Sequence, residues 1–162
     1  MDIKRGDGMP EPNSIIILGE LSKPATVLIE KIAGAVGGIF EPCQIVRVAK
    51  AEAEAEIIKA ETQIKITDLQ RRALNRFVAE EAKKQDNMEQ ITQKAISQLA
   101  NSSTPQNIED DWIINFFDKC RIVSDEEMQS LWAKVLAGEA NAPGTYSKRT
   151  VNLLSSLDTN DA

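Results

Sequence analysis

A chain of 162 residues with no histidine, and with Cys43 and Cys120 too far apart for any Cys-x-x-Cys spacing, lacks the commonest general base and suggests neither a zinc site nor a redox motif. Its net charge of −6 argues against a general affinity for nucleic acid. An aromatic share of 4% beside frequent alanine favours helix on helix over a β-sandwich, so the expected fold class is all-α.

Residues 1–14 mix Gly6, Gly8, Pro10 and Pro12 with charges, a composition expected to stay disordered, and they carry no secretory signal. The cytoplasm is therefore the expected compartment. Residues 15–41 form the next unit. Ile15, Ile16, Ile17 and Leu18 suit a short helix or an extended docking segment, and a helix follows from Pro24 to Phe40. Leu28, Ile32, Val36 and Ile39 share its apolar face, and Pro24 sits in its first turn. Gly34, Gly37 and Gly38 imply close packing, a bend or a membrane-adapted helix.

Residues 42–100 read as one long helix, kinked or restarted near Asp86, where Glu89 gives capping-box spacing. Between Pro42 and Lys84 there is neither glycine nor proline, and good helix formers dominate. Val46, Ala49, Ala53, Ile57, Ala60 and Ile64 step by threes and fours into a narrow seam that calls for a partner helix. Leu69, Ala73, Phe77 and Val78 carry the apolar character onward, and interleaved charges such as Glu61 and Lys65 solvate the other faces.

Asn101 to Gln106 read as a linker, and residues 107–162 as a small helical module whose core is made of large side chains. Trp112, Ile113, Phe116 and Phe117 give its first helix an aromatic face. Ser124 is placed to cap a second helix, with Glu127 three residues on and Met128, Leu131, Trp132, Val135 and Leu136 as its stripe, ending before Gly138. Ser147 is placed to cap a third, bearing Val151, Leu153, Leu154 and Leu157. Thr159 to Ala162 read as the start of a fourth helix, cut short as in a truncated chain.

The chemistry-bearing patterns are sparse. Glu52, Glu54 and Glu56 fan around a helix instead of converging, and no phosphate loop or activated nucleophile occurs, so neither a metal, a cofactor nor an enzymatic activity is expected. Arg71, Arg72 and Arg76 are the densest basic spot and the candidate for phosphate contact, although no aromatic stacking platform accompanies them.

Several stretches together carry a family resemblance. They are Glu41-Pro42 with Arg47 to Ala53, Asp111-Trp112 through Phe117, Val123 to Gln129, Leu131 to Lys134, Gly138-Glu139, Pro143-Gly144 and Ser147 to Thr150. Over roughly residues 25–160 the chain resembles an uncharacterised bacterial domain-of-unknown-function family. Its later half resembles abortive-infection protein alpha, which implies a setting in stopping phage propagation. Neither resemblance brings catalytic residues. The alanine- and glutamate-rich helix is also similar in composition to the helical segment of the prohibitin and stomatin families, without their partner domain.

The expected function is a non-enzymatic assembly or scaffold protein in anti-phage defence, a homo-oligomer joined through the long helix, with hetero-protein partners also open. One alternative is a membrane-active effector, peripheral to the inner membrane, that engages lipid through residues 15–40. The other is a nucleic-acid or nucleotide-sensing module using the three arginines.

Overall fold

The computed structural model describes residues 21–39, 53–57, 59, 67–158 and 160, and every regular element among them is helical. Helix α1, Lys23–Val36, is started by Ser22, whose hydroxyl accepts from the Ala25 amide at 3.3 Å, with Pro24 in the first turn. Gly37 closes it at φ +93°, a left-handed backbone that side-chain-bearing residues adopt at a cost. Gly34, by contrast, has open space where a Cβ would stand, so the close packing inferred for it is absent.

Helix α2, Asp68–Ile96, is the long element. A capping box fixes its start: the Thr67 amide donates to Gln70 Oε1 at 2.9 Å, and the Gln70 amide donates back to the Thr67 hydroxyl at 3.3 Å. Thr67 itself is extended, so the single helix expected over 42–100 is interrupted there. The run looked unbroken because threonine and glutamine are tolerated inside helices as well as at their ends. No break or restart occurs at Asp86, which lies inside α2. Residues 53–57 are also helical, whereas residues 1–20 and 40–52, including Cys43, lie outside the described residues.

After α2 the chain is not a free linker. The Ala100 amide donates to Asn141 Oδ1 at 2.8 Å, Asn141 Nδ2 donates to the Gln98 carbonyl at 3.2 Å, and Pro105–Asn107 form a 3₁₀ turn with Pro105 buried. Helix α3, Asp110–Cys120, follows with two aspartates in its first turn, favourable at the positive end of the helix dipole. Helix α4, Glu126–Asn141, is capped by Asp125, which accepts from the Met128 amide at 2.9 Å, rather than by Ser124. The Ser124 hydroxyl is engaged by Asn87 instead. The helix passes through Gly138, where an added Cβ would lie 2.7 Å from the Tyr146 ring, so the glycine serves close packing and not termination. Helix α5, Lys148–Leu154, is capped by Ser147 as expected, its hydroxyl accepting from the Thr150 amide at 3.2 Å.

The core centres on Trp112, Phe116, Phe117 and Trp132, with Phe116 stacked on Trp112 at 5.1 Å and edge-on to Trp132 at 5.2 Å. Trp112 Nε1 donates to the Tyr146 carbonyl at 2.7 Å, which satisfies its one polar atom. Cys120 is fully buried, and that burial pushes its thiol well above the ordinary range. The core does not stop at residue 107. Leu28 and Ile32 of α1 and Ile91 and Ala95 of α2 belong to the same cluster, so the later module is not a separate head. On α5 only Val151 and Leu154 turn inward. Leu153 is 65% exposed and Leu157 is on the rim, because a helix of seven residues offers one face to its neighbours.

Candidate interaction surface

The helical repeat of α2 places Leu69, Ala73, Phe77, Glu80, Lys84, Asn87, Ile91 and Ala95 on one stripe, three or four residues apart. Two very different environments meet that stripe. Its inner part is sealed against α4: Ile91 and Ala95 are fully buried, and Asn87 is held by a buried polar network. Asn87 Nδ2 donates to the Arg121 carbonyl at 2.9 Å and to Ser124 at 3.2 Å, and its oxygen accepts from Gln129 Nε2 at 3.3 Å. Gln129 also donates to the Val123 carbonyl at 2.9 Å. Each member has partners, as a buried amide requires.

The outer part, residues 68–83, leaves the body of the protein. Leu69 is 68% exposed and Phe77 60%, with Val78 beside them on the adjoining row, and of this segment only Leu74 is partly covered. Isolated exposed apolar residues are ordinary, but here Leu69, Ala73 and Phe77 share the face of α2 that is buried further along at Asn87, Ile91 and Ala95. At the base of this arm, Ala35, Val36, Met88, Ile114 and Phe117 line a groove of about 380 Å³ together with Glu81, Lys84, Gln85, Asp118 and Arg121. The Gln85 side chain joins α2 to the end of α1 there, donating to the Gly38 carbonyl at 2.9 Å and to Glu89 at 2.7 Å.

The arginines expected to contact phosphate lie on this arm, exposed. Arg71 is paired with Asp68, and Arg76 approaches Glu80 at 3.4 Å. Two of the three charges are thus already balanced along the helix, where such exposed pairs contribute about 0.3–0.5 kcal/mol. Of the proposed seam, Ala53 is exposed and Ile57 partly covered, while Val46, Ala49, Ala60 and Ile64 lie outside the described residues. The residues expected to touch lipid are placed otherwise than foreseen. Leu28 and Ile32 are fully buried and Ile39 nearly so, packed into the core with Val36 at its edge. Lys31 reaches Asp110 at 2.7 Å, fastening α1 to α3. That apolar face is spent on the protein's own interior, and no described helix is long and apolar enough to cross a membrane. The module core is where it was expected, with Trp112, Phe116, Trp132 and Val135 buried and Leu131 partly buried against them. Among the described residues no group of three or more cysteines and carboxylates converges as a metal site would.

Sequence reasoning registered Leu69, Ala73, Phe77 and Val78 only as a continuation of the long helix. It missed the groove at the arm's base, since α1, α2 and α3 each contribute part of it and no local pattern signals their meeting.

No curated protein and no solved structure matches the chain. A family match spans residues 71–162, from the arm of α2 through α5, and is described as Protein of unknown function (DUF2806). It covers more than half of the sequence, in keeping with the resemblance to a domain-of-unknown-function family, and the chain belongs to the DUF2806 family.

Proposed function

We propose that this protein is a non-enzymatic assembly protein that docks onto other helices through the outer half of α2, with α1, α3, α4, α5 and the inner half of α2 forming the body that carries it. One observation bears the reading: the face of α2 that is fully buried at Ile91 and Ala95 becomes apolar again, beyond Glu80, Lys84 and Asn87, at Phe77 and Leu69, where no described residue covers it. Burying apolar area stabilises by roughly 25 cal/mol per Å², so such a stripe is a ready surface for a partner helix. The alanine seam of residues 46–64 extends the same reading upstream on the strength of its spacing. The setting we attach to it, phage defence in bacteria, rests on the resemblance of the later half to abortive-infection protein alpha.

Light scattering on the purified chain across a tenfold concentration range tests the reading. A fixed oligomer is expected, and Leu69→Asp with Phe77→Asp should reduce it to monomer while leaving the near-ultraviolet signal of Trp112 and Trp132 intact. If the double variant assembles as well as the parent, the arm is not the docking element.

A further inference from the structure

We propose that the helical stretch 53–57 of this chain docks beside the outer half of α2, on the row of Leu74 and Val78, so that the arm is one limb of a helical hairpin. Leu69, Ala73 and Phe77 lie on the neighbouring face and stay open for the partner proposed above.

The path of the chain is pinned at both ends by described residues. At the base of the arm, Gln85 Nε2 donates to the Gly38 carbonyl at 2.9 Å, and Ile39 is buried in the core. At the tip, Thr67 caps α2 from an extended backbone, φ −64° and ψ 155°. From Thr67 to Gln85 the helix rises about 27 Å at ~1.5 Å per residue. If residues 53–57 continued the line of α2 past Thr67 as helix, Ala53 would stand about 48 Å from Gln85 by the same rise. The chain from Ile39 to Ala53 reaches about that far only when pulled straight, at roughly 3.3–3.6 Å per residue. Folding back at Thr67 removes the stretch, because residues 40–66 then need to cover only the length of the arm.

Register follows from counting outward from Thr67. Ile57 stands as far before it as Phe77 stands after it, so a helix folded back there sets Ile57 level with the space between Leu74 and Val78. Burial selects the same side chains. Within 53–57 only Ile57 is partly covered, and within 68–83 only Leu74 is, whereas Leu69 and Phe77 stay mostly in water. Val78, at 45%, is less exposed than either. The row of Leu74 and Val78 runs on through Ala82 to Gln85, the residue that holds Gly38. The chain therefore leaves the body on the row that residues 53–57 go on to cover.

Disulfide trapping within one chain tests this, in a Cys43→Ser background with Cys120 buried. Under mild oxidation, Ile57→Cys with Val78→Cys should lose both reactive thiols at every protein concentration while running as a single chain on a non-reducing gel. Ile57→Cys with Leu69→Cys should keep its thiols. Covalent dimers from the first pair would overturn the hairpin, as would thiols left free in a protein whose Trp112 and Trp132 near-ultraviolet signal is normal. Equal linking of the second pair would overturn the register and the hairpin with it. Light scattering on the linked chain separates this from the assembly reading: a fixed oligomer supports both, and a linked chain that is monomeric throughout supports the hairpin and overturns assembly through the arm.

Discussion

The two halves of α2 have the same helical geometry and one continuous stripe, yet one half is sealed and the other bare. From Asn87 to Ala95 the stripe lies along α4, and its residues are fixed by packing and by the Asn87 network. From Asp68 to Lys83 the helix is held by its capping box and by charge pairs along its own surface. The contrast teaches that an amphipathic pattern specifies a need for cover without saying what supplies it. The inner half is covered by α4 from the same chain, and the outer half has no such cover among the described residues.

Substitutions on either side of that divide should behave oppositely. The largest effect belongs to Ile91→Ala, which empties a fully buried site and should cost about 2–5 kcal/mol in chemical denaturation. Asn87→Leu comes next. It strips Gln129 and the Arg121 carbonyl of a buried partner and should cost about 1–3 kcal/mol, and an unchanged denaturation midpoint would show that the network is dispensable. Thr67→Ala removes the capping hydroxyl, worth about 1 kcal/mol, and that loss should stay local. Amide exchange should quicken over residues 68–72 while the slowest amides of α4 keep their protection. Phe77→Ser should have the smallest effect on the isolated fold, within about 0.5 kcal/mol, because the ring is mostly in water. Its consequence should be instead to remove any dependence of the melting temperature on protein concentration.

Much of this architecture was legible in the residues, and the exceptions share a cause. The aromatic core around Trp112, Phe116 and Trp132 follows from large apolar residues at helical spacing, and the Ser147 cap from a hydroxyl just before a short periodic run. The start of α2 at Thr67 was hidden because both sides have the same helix-forming composition, and only the reciprocal bonds with Gln70 reveal the end. Ser124 and Asp125 are both competent caps, and the choice was made by Asn87, thirty-seven residues earlier, which holds Ser124. The face of α1 suited lipid, another protein or the interior equally well. What decided was α3, whose sequence carries no mark of α1. For the interaction surface, the periodicity of Leu69, Ala73 and Phe77 was visible, but their exposure depends on where α4 stops following α2, a property of the assembled fold.

The bond between Lys31 and Asp110 joins residues nearly eighty positions apart. A ribosome releases α1 long before it has made the helix that covers it, so Leu28, Ile29 and Ile32 spend that interval facing water or whatever else is at hand. Closing so large a loop is slow relative to forming the helices themselves, because chain entropy must be lost before any contact forms. The nascent chain therefore carries a sticky segment until the residues from α1 to α3 have all been made, and its yield in a cell should respond to chaperone supply more than the stability of the finished fold would suggest.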